Sequence, residues 1–149
     1  MMNQEDLDRV LRTFNPNPPA ELPCVQKLQR EAGFCLPDSY VRFLLHADGG
    51  EGFVGDAYVI LERAGELVEW NMALEVGDYS PGLFVFGSNG GGEAFGFDTR
   101  DSCVSIVCVP FIAFEWEYAL PMGACFWEFL LALEDGGPFY HSRSDPMVT

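Results

Sequence analysis

Positively charged residues are scarce in this 149-residue chain: it has eight Lys and Arg, 23 Asp and Glu, and a formal net charge of −15. The imbalance lies in residues 44–149, where 17 acids and three bases give −14, while residues 1–43 carry six acids and five bases. Such a field repels nucleic acid and anionic membranes and attracts basic proteins. We therefore expect a basic protein partner, no nucleic acid and no membrane. The alternative, that the acidity serves solubility alone, stays open.

The chain also lacks long apolar runs and paired cysteines. No run approaches the roughly 18 residues of a membrane span, and the start, Met-Met-Asn-Gln-Glu-Asp, lacks the regions of a secretory signal. Its five cysteines are odd in number and scattered, which predicts reduced structural thiols and neither a disulfide framework nor a zinc site. Cys103 and Cys108 are five apart and are expected on opposite faces of one strand. These patterns predict a cytoplasmic protein without metal or cofactor.

Groups suited to catalysis are few. His46 lies in a predicted helix without an orienting acid, His141 lies in a predicted tail, and no serine occupies a strained strand-to-helix turn. Glu115 and Glu117 are expected on one side of a strand, but nothing separates their pKa values as a glycosidase requires. The sequence thus predicts no catalytic residue and no enzyme. A hydrolase that uses a pair of carboxylates stays open as an alternative to a binding function.

Apolar spacing predicts three helices before any strand. They cover Gln4–Phe14, Leu22–Ala32 with Gly33 just beyond, and about Pro37–Ala47. The segment Asn15–Pro19 breaks the first helix from the second. Three successive helices argue against a βαβ arrangement and favour helices packed on a later sheet.

Short strands and two further helices are predicted after Glu51. Phe alternates with Val before the glycine-rich loop from Ser88 to Gly92 and with Gly after it, as in a β-hairpin, and no Lys or helix follows to hold a phosphate. We expect Trp70 and Phe97 to be buried. The other predicted elements are strands at 53–54 and 58–61 around a Gly55–Asp56 turn, a helix over 66–76, a strand over 103–111 continuing through 112–116, a helix over 124–133, and a loose tail over 138–149.

Four segments in this order resemble the SMI1/KNR4 family, also called the SUKH superfamily. They are Leu36-Pro-Asp-Ser-Tyr through Asp48-Gly-Gly50, Trp70, the hairpin Phe86-Gly-Ser-Asn-Gly-Gly-Gly-Glu-Ala-Phe-Gly-Phe-Asp98, and Phe126-Trp-Glu-Phe-Leu-Leu131. Asp48 stands where that family more often has Asn. The resemblance covers about residues 22–133, within a single domain of residues 1–149, and leaves residues 1–20 as an N-terminal helix and Pro-rich connector.

The resemblance implies an α+β fold with helices packed on one face of a mixed, mostly antiparallel sheet. It also implies a non-catalytic binding domain: in bacteria, an immunity protein that neutralises a cognate polymorphic toxin, often a nuclease. The alternative is an adaptor or scaffold domain in signalling or complex assembly, with the N-terminal helix as a docking element. Candidate partner contacts are the acids on predicted loops and edges: Asp48, Glu51, Asp56, Glu93, Glu115 and Glu117. The identity of the toxin, the mode of inhibition and the oligomeric state are left open.

Overall fold

The computed structural model describes residues 2–112 and 115–136. Within them, seven strands form one sheet in sequence order, and each strand pairs antiparallel with the next. The strands are β1 Phe14–Pro16, β2 Gly50–Val54, β3 Ala57–Leu61, β4 Leu83–Ser88, β5 Glu93–Asp98, β6 Ser105–Pro110 and β7 Leu120–Gly123. The helices are α1 Gln4–Val10, α2 Leu22–Ala32, α3 Asp38–His46, α4 Leu67–Ala73, α5 Val76–Tyr79 and α6 Phe126–Glu134. The predicted α+β class is confirmed, and the predicted tail 138–149 lies outside the described residues.

The main core lies on the side of the sheet that α1, α2, α3 and α6 cover. Period-two alternation along β4 and β5 turns Phe86, Phe95 and Phe97 to this side, and all three are fully buried. Tyr40 of α3 lies against Phe86 and Phe97, with ring centroids 5.5 and 5.0 Å apart. A stacked and tilted aromatic cluster therefore joins the helices to the central strands.

A second, smaller core lies on the opposite side of the sheet. The alternate residues Leu83, Val85 and Val107 pack there with Val76 of α5. The Asn71 amide of α4 donates to the Val85 carbonyl at 2.9 Å and accepts from the Val85 N–H at 2.8 Å. This pair of bonds replaces a strand partner where β3 has ended. Helix α5 and the Asn71 side of α4 thus cover this side at β4, whereas Leu67 at the start of α4 is fully buried in the main core.

The predicted helix ending at Phe14 is too long. Helix α1 ends at Val10, and Phe14 begins the edge strand β1, where it pairs with Gly52 of β2. A Cβ on Gly52 would lie 2.9 Å from the Phe14 Cα, so the close approach of these strands needs a glycine. Leu7, Val10 and Phe14 are all buried in the main core. Tertiary pairing, which helical spacing does not report, decides the end of α1.

Some of the other predicted helices and strands are confirmed, and others are wrong. Helix α2 and the β4–β5 hairpin are confirmed, whereas the predicted helix over 66–76 is divided at Glu75 (φ 56°) into α4 and α5. The predicted extension over 112–116 is wrong: Ile112 lies in a turn, and Trp116–Tyr118 form a 3₁₀ turn whose indole donates to the Pro81 carbonyl. Strand β7 was not predicted, because its Leu-Pro-Met-Gly sequence has the residues of a turn.

Candidate functional site

Strands β2 and β3 present an outward surface opposite the main core, which we call the open face and define by Glu51, Phe53, Tyr58 and Ile60. Glu51 pairs across the strands with Ile60, and Phe53 pairs with Tyr58, so that all four side chains project to the same side. Phe53 is 48% exposed, and its ring meets that of Tyr58 edge to face with centroids 5.2 Å apart. Exposed aromatic side chains in contact are typical of protein-binding surfaces.

A cleft of about 500 Å³ adjoins the open face at the start of β2 and the end of β3. Its charged residues are three acids, Glu51, Glu62 and Glu66, and one base, Arg63. The remaining lining residues are Asn15, Pro16, Asn17, Gly50, Ile60 and Leu61. Glu51 therefore belongs both to this acidic cleft and to the open face. Its carboxylate accepts a hydrogen bond from the Tyr58 hydroxyl, which raises the pKa of Tyr58.

The negative charge of the acidic cleft is reflected in the pKa of Glu62. This pKa is raised. Partial burial makes the largest contribution, repulsion from Glu66 the next largest, and repulsion from Glu51 a smaller one. The three carboxylates thus destabilise one another at neutral pH. A cation that binds among them relieves this repulsion, so the cleft is suited electrostatically to a positively charged group.

The raised pKa makes Glu62→Gln a stabilising substitution at neutral pH. The cost of the wild-type charge is absent below the ordinary glutamate pKa of about 4.3, and it grows as the pH rises through the raised folded-state pKa. We therefore expect the urea midpoint of Glu62→Gln to exceed that of the wild type at pH 7. The gain should shrink as the pH falls toward 4.

The matched control is Glu115→Gln, at an exposed position with no part in the cleft. Urea titrations of the three proteins between pH 4 and 8 make the comparison. A gain from Glu62→Gln that is the same at every pH would contradict the electrostatic explanation.

Two of the six candidate contacts, Asp48 and Glu93, are at least half-buried. Asp48 is half-buried, and its carboxylate accepts from the Ala64 N–H at 2.8 Å, which fixes the chain after β3 to the end of α3. Glu93 is 6% exposed and accepts from the Asn89 amide at 2.6 Å within the hairpin loop. Both add negative charge near the surface, but their carboxylates are engaged within the protein.

The remaining four candidates are exposed and lie in two places. Glu51 and Asp56 belong to the β2–β3 hairpin, Asp56 at its turn. Glu115 and Glu117 lie in and beside the 3₁₀ turn before β7, where both raise the pKa of Tyr118. They do not share one side of a strand as predicted, because this segment turns around Trp116. The structure therefore places Glu51 and Asp56 on one hairpin, near the start of β2 and at the turn respectively, and places Glu115 and Glu117 elsewhere, before β7.

Sequence reasoning missed Phe53, Tyr58, Ile60, Glu62 and Glu66. A signal for the first three existed in the alternation of residues 50–61, which becomes informative once the Gly55–Asp56 turn sets the register. Glu62 follows β3, and it is the pairing of Gly50 with Leu61 that brings it to Glu51. Glu66 ends a 3₁₀ turn that has no sequence pattern of its own. Register was the missing information.

No group of three His, Cys, Asp or Glu side chains within residues 2–112 and 115–136 is arranged to hold a metal ion. The same ranges contain no helix with the length and apolar character to cross a membrane.

All five cysteines are free. Cys108 is buried in β6, whereas Cys103 is exposed in the turn before this strand and does not lie on its opposite face as expected.

Comparison with known families supplies the identification. Residues 19–132 match the SMI1 / KNR4 family (SUKH-1) over most of the chain. The chain belongs to the SMI1/KNR4 family. The matched range of this SMI1/KNR4 domain contains the whole β2–β3 hairpin and the three acids of the cleft, while α1 and β1 precede it. A search of curated proteins gave no match.

Proposed function

We propose that this SMI1/KNR4 domain is a non-catalytic immunity protein that neutralises a basic bacterial toxin by binding it through its acidic surface. The observation that carries the proposal is that the acidic cleft adjoins the partly exposed Phe53–Tyr58 pair within a member of this family. Toxins that act on nucleic acid need basic surfaces to bind phosphates. An acidic inhibitor surface is complementary to them and accelerates encounter.

Within this proposal, the exposed candidates make the contacts. Glu51 and Asp56 would touch the partner directly, while Asp48 and Glu93 would contribute to the negative potential around them. Glu115 and Glu117 form a second acidic region, before β7, which would reach only the margin of a large partner. The adaptor alternative loses its docking element, since α1 has Leu7 and Val10 in the main core and Arg9 paired with Glu134 at 2.7 Å.

Co-expression tests the proposed function. The chain is produced in bacteria together with the toxin candidate encoded beside it, and growth is compared with that of cells carrying the toxin alone. We expect rescue of growth and a complex of the two purified proteins that weakens as salt rises. Absence of both rescue and a low-salt complex would remove the immunity role and leave the adaptor alternative.

Two double variants, each lacking two negative charges, test which acidic region speeds association with the partner. We expect Glu51→Gln with Glu62→Gln to lower the association rate constant with the basic partner about tenfold at low salt, the lower end of the range for electrostatic steering. Glu115→Gln with Glu117→Gln should change it by less than about twofold. Stopped-flow association at two salt concentrations measures both. Equal losses would mean that the acidity acts diffusely.

A further inference from the structure

We propose that the open face docks an extended segment of the partner in which an apolar side chain and an Arg or Lys stand at positions i and i+2. The apolar side chain packs on Phe53 and Tyr58, and the cation enters the acidic cleft. This inference rests on the proposed function only in that the site binds a protein. It names the chemistry of the segment that the site accepts.

The apolar half of the open face has no cover from the described helices. On this side of the sheet, α4 and α5 pack at β4, where they bury Val85, but β2 and β3 lie beyond them. Phe53 is left 48% exposed although it sits in the middle of a hairpin. Burying an aromatic ring of this kind is the main source of affinity in many protein interfaces.

The glycine-rich loop of the β4–β5 hairpin borders the same surface. A Cβ at Gly90 would lie 3.5 Å from Ile60 and 3.6 Å from the Tyr58 ring. The loop thus passes beside Ile60 and Tyr58, while Phe53 is not among its neighbours at Gly90 and stays 48% exposed. The open face is therefore bounded on one side by this loop and at one end by the acidic cleft.

The cation in the proposed segment is inferred from the charge of the acidic cleft, to which it is complementary. Three carboxylates and one guanidinium line the cleft, so the acids outnumber the base by two, and Glu66 and Glu51 both repel the Glu62 carboxylate. An Arg side chain offers five donors in a planar fork that matches carboxylate oxygens, and a Lys offers a point charge. The volume of about 500 Å³ is ample for either side chain.

Strand geometry sets the spacing of the segment. Phe53 and Glu51 are two residues apart on β2 and project to the same side, so they are separated by about 6.5–7 Å along the strand. Any extended chain repeats this distance between alternate side chains. An apolar residue over Phe53 thus brings the side chain two positions away to Glu51 and the cleft, whereas its immediate neighbour points away.

The test uses two synthetic β-hairpin peptides of identical composition and the full chain labelled for NMR. One peptide carries Trp and Arg at i and i+2 of one strand, and the other carries them at i and i+1, on opposite faces. We expect the first to bind at least fivefold more tightly and to shift the amide signals of residues 50–66. Equal affinities, shifts centred on residues 115–118, or no binding at millimolar peptide would overturn the inference.

A matched pair of variants tests the apolar contact. Phe53→Thr keeps a residue suited to a strand and should weaken the i, i+2 peptide at least fivefold, whereas Tyr79→Thr, at a position 62% exposed on α5, should leave it unchanged. An undiminished affinity of the Phe53 variant would contradict the proposal. Rescue by co-expression with failure of the peptide test would overturn this inference alone, and the reverse result would overturn the immunity role alone.

Discussion

Replacing Phe97 by Ala is expected to lower the free energy of unfolding by about 3–5 kcal/mol, the range observed for buried Phe truncations. Phe97 is fully buried on β5, and its ring stacks on Phe86 with centroids 4.6 Å apart and an interplanar angle of 30°. It also contacts Tyr40 of α3 and Phe34 beyond α2, at 5.0 and 5.7 Å. Removing the ring would open a cavity among rigid aromatic neighbours, which relax little to fill it.

The control for Phe97→Ala is the same chemical change on the open face, Phe53→Ala. Because Phe53 is 48% exposed, its truncation should cost no more than about 1 kcal/mol, within the range of substitutions outside the core. Urea unfolding followed by circular dichroism measures both. Comparable losses for the two variants would mean that the assignment of inner and outer faces is wrong.

Trp70 shows where the sequence-based estimate of burial was too strong. It was expected to be buried like Phe97, but it is only half-buried and lies between the two cores, beside Phe111 at 6.4 Å. Its helical spacing indicated the correct side of α4. The degree of burial depends on how completely Phe111, which is far along the chain, covers the indole, and local spacing contains no information on that.

The elements that were predicted correctly are those in which local and tertiary preferences agree. Helix α2 has an apolar stripe and ends at Gly33, and the β4–β5 hairpin has alternation on both sides of a glycine loop. Phe14 and Trp116 were misassigned because their partners, Gly52 and the Pro81 carbonyl, are far along the chain. Local patterns are unable to report such contacts.

The sequence predicted the negative charge of the candidate site but not the residues that form it. The excess of acids after residue 43 indicated a negative surface, and Glu51 was among the expected contacts. The acidic cleft, however, arises because antiparallel pairing brings residues 50–51 beside residues 60–66, and Glu62 and Glu66 gain their significance only there. A charge count gives the total field, whereas the register of β2 and β3 determines where it is concentrated.

The close approach that forms the cleft makes Gly49→Ala a severe substitution. Gly49 has φ +74°, and a Cβ there would lie 2.2 Å from the Leu61 carbonyl oxygen and 2.7 Å from that of Glu62. A left-handed conformation costs a residue with a Cβ about 1–2 kcal/mol, and overpacking typically adds about 1–3 kcal/mol. We therefore expect a loss of about 2–5 kcal/mol, because the clash is with backbone that has no alternative rotamer.

The matched control is Gly91→Ala in the hairpin loop, where the nearest atom to an added Cβ is the Asn89 side-chain oxygen at an ordinary 3.7 Å. Its effect on stability should be within about 0.5 kcal/mol, as for other unstrained surface positions. Urea unfolding gives the two stabilities, and the salt-dependent association with the basic partner reports on the cleft. If Gly49→Ala keeps its stability yet separates Glu62 from Glu51, association should slow as in the Glu51/Glu62 double variant. An unchanged stability together with unchanged association would show that β2 and β3 do not meet at Gly49, and the acidic cleft would then lose its structural basis.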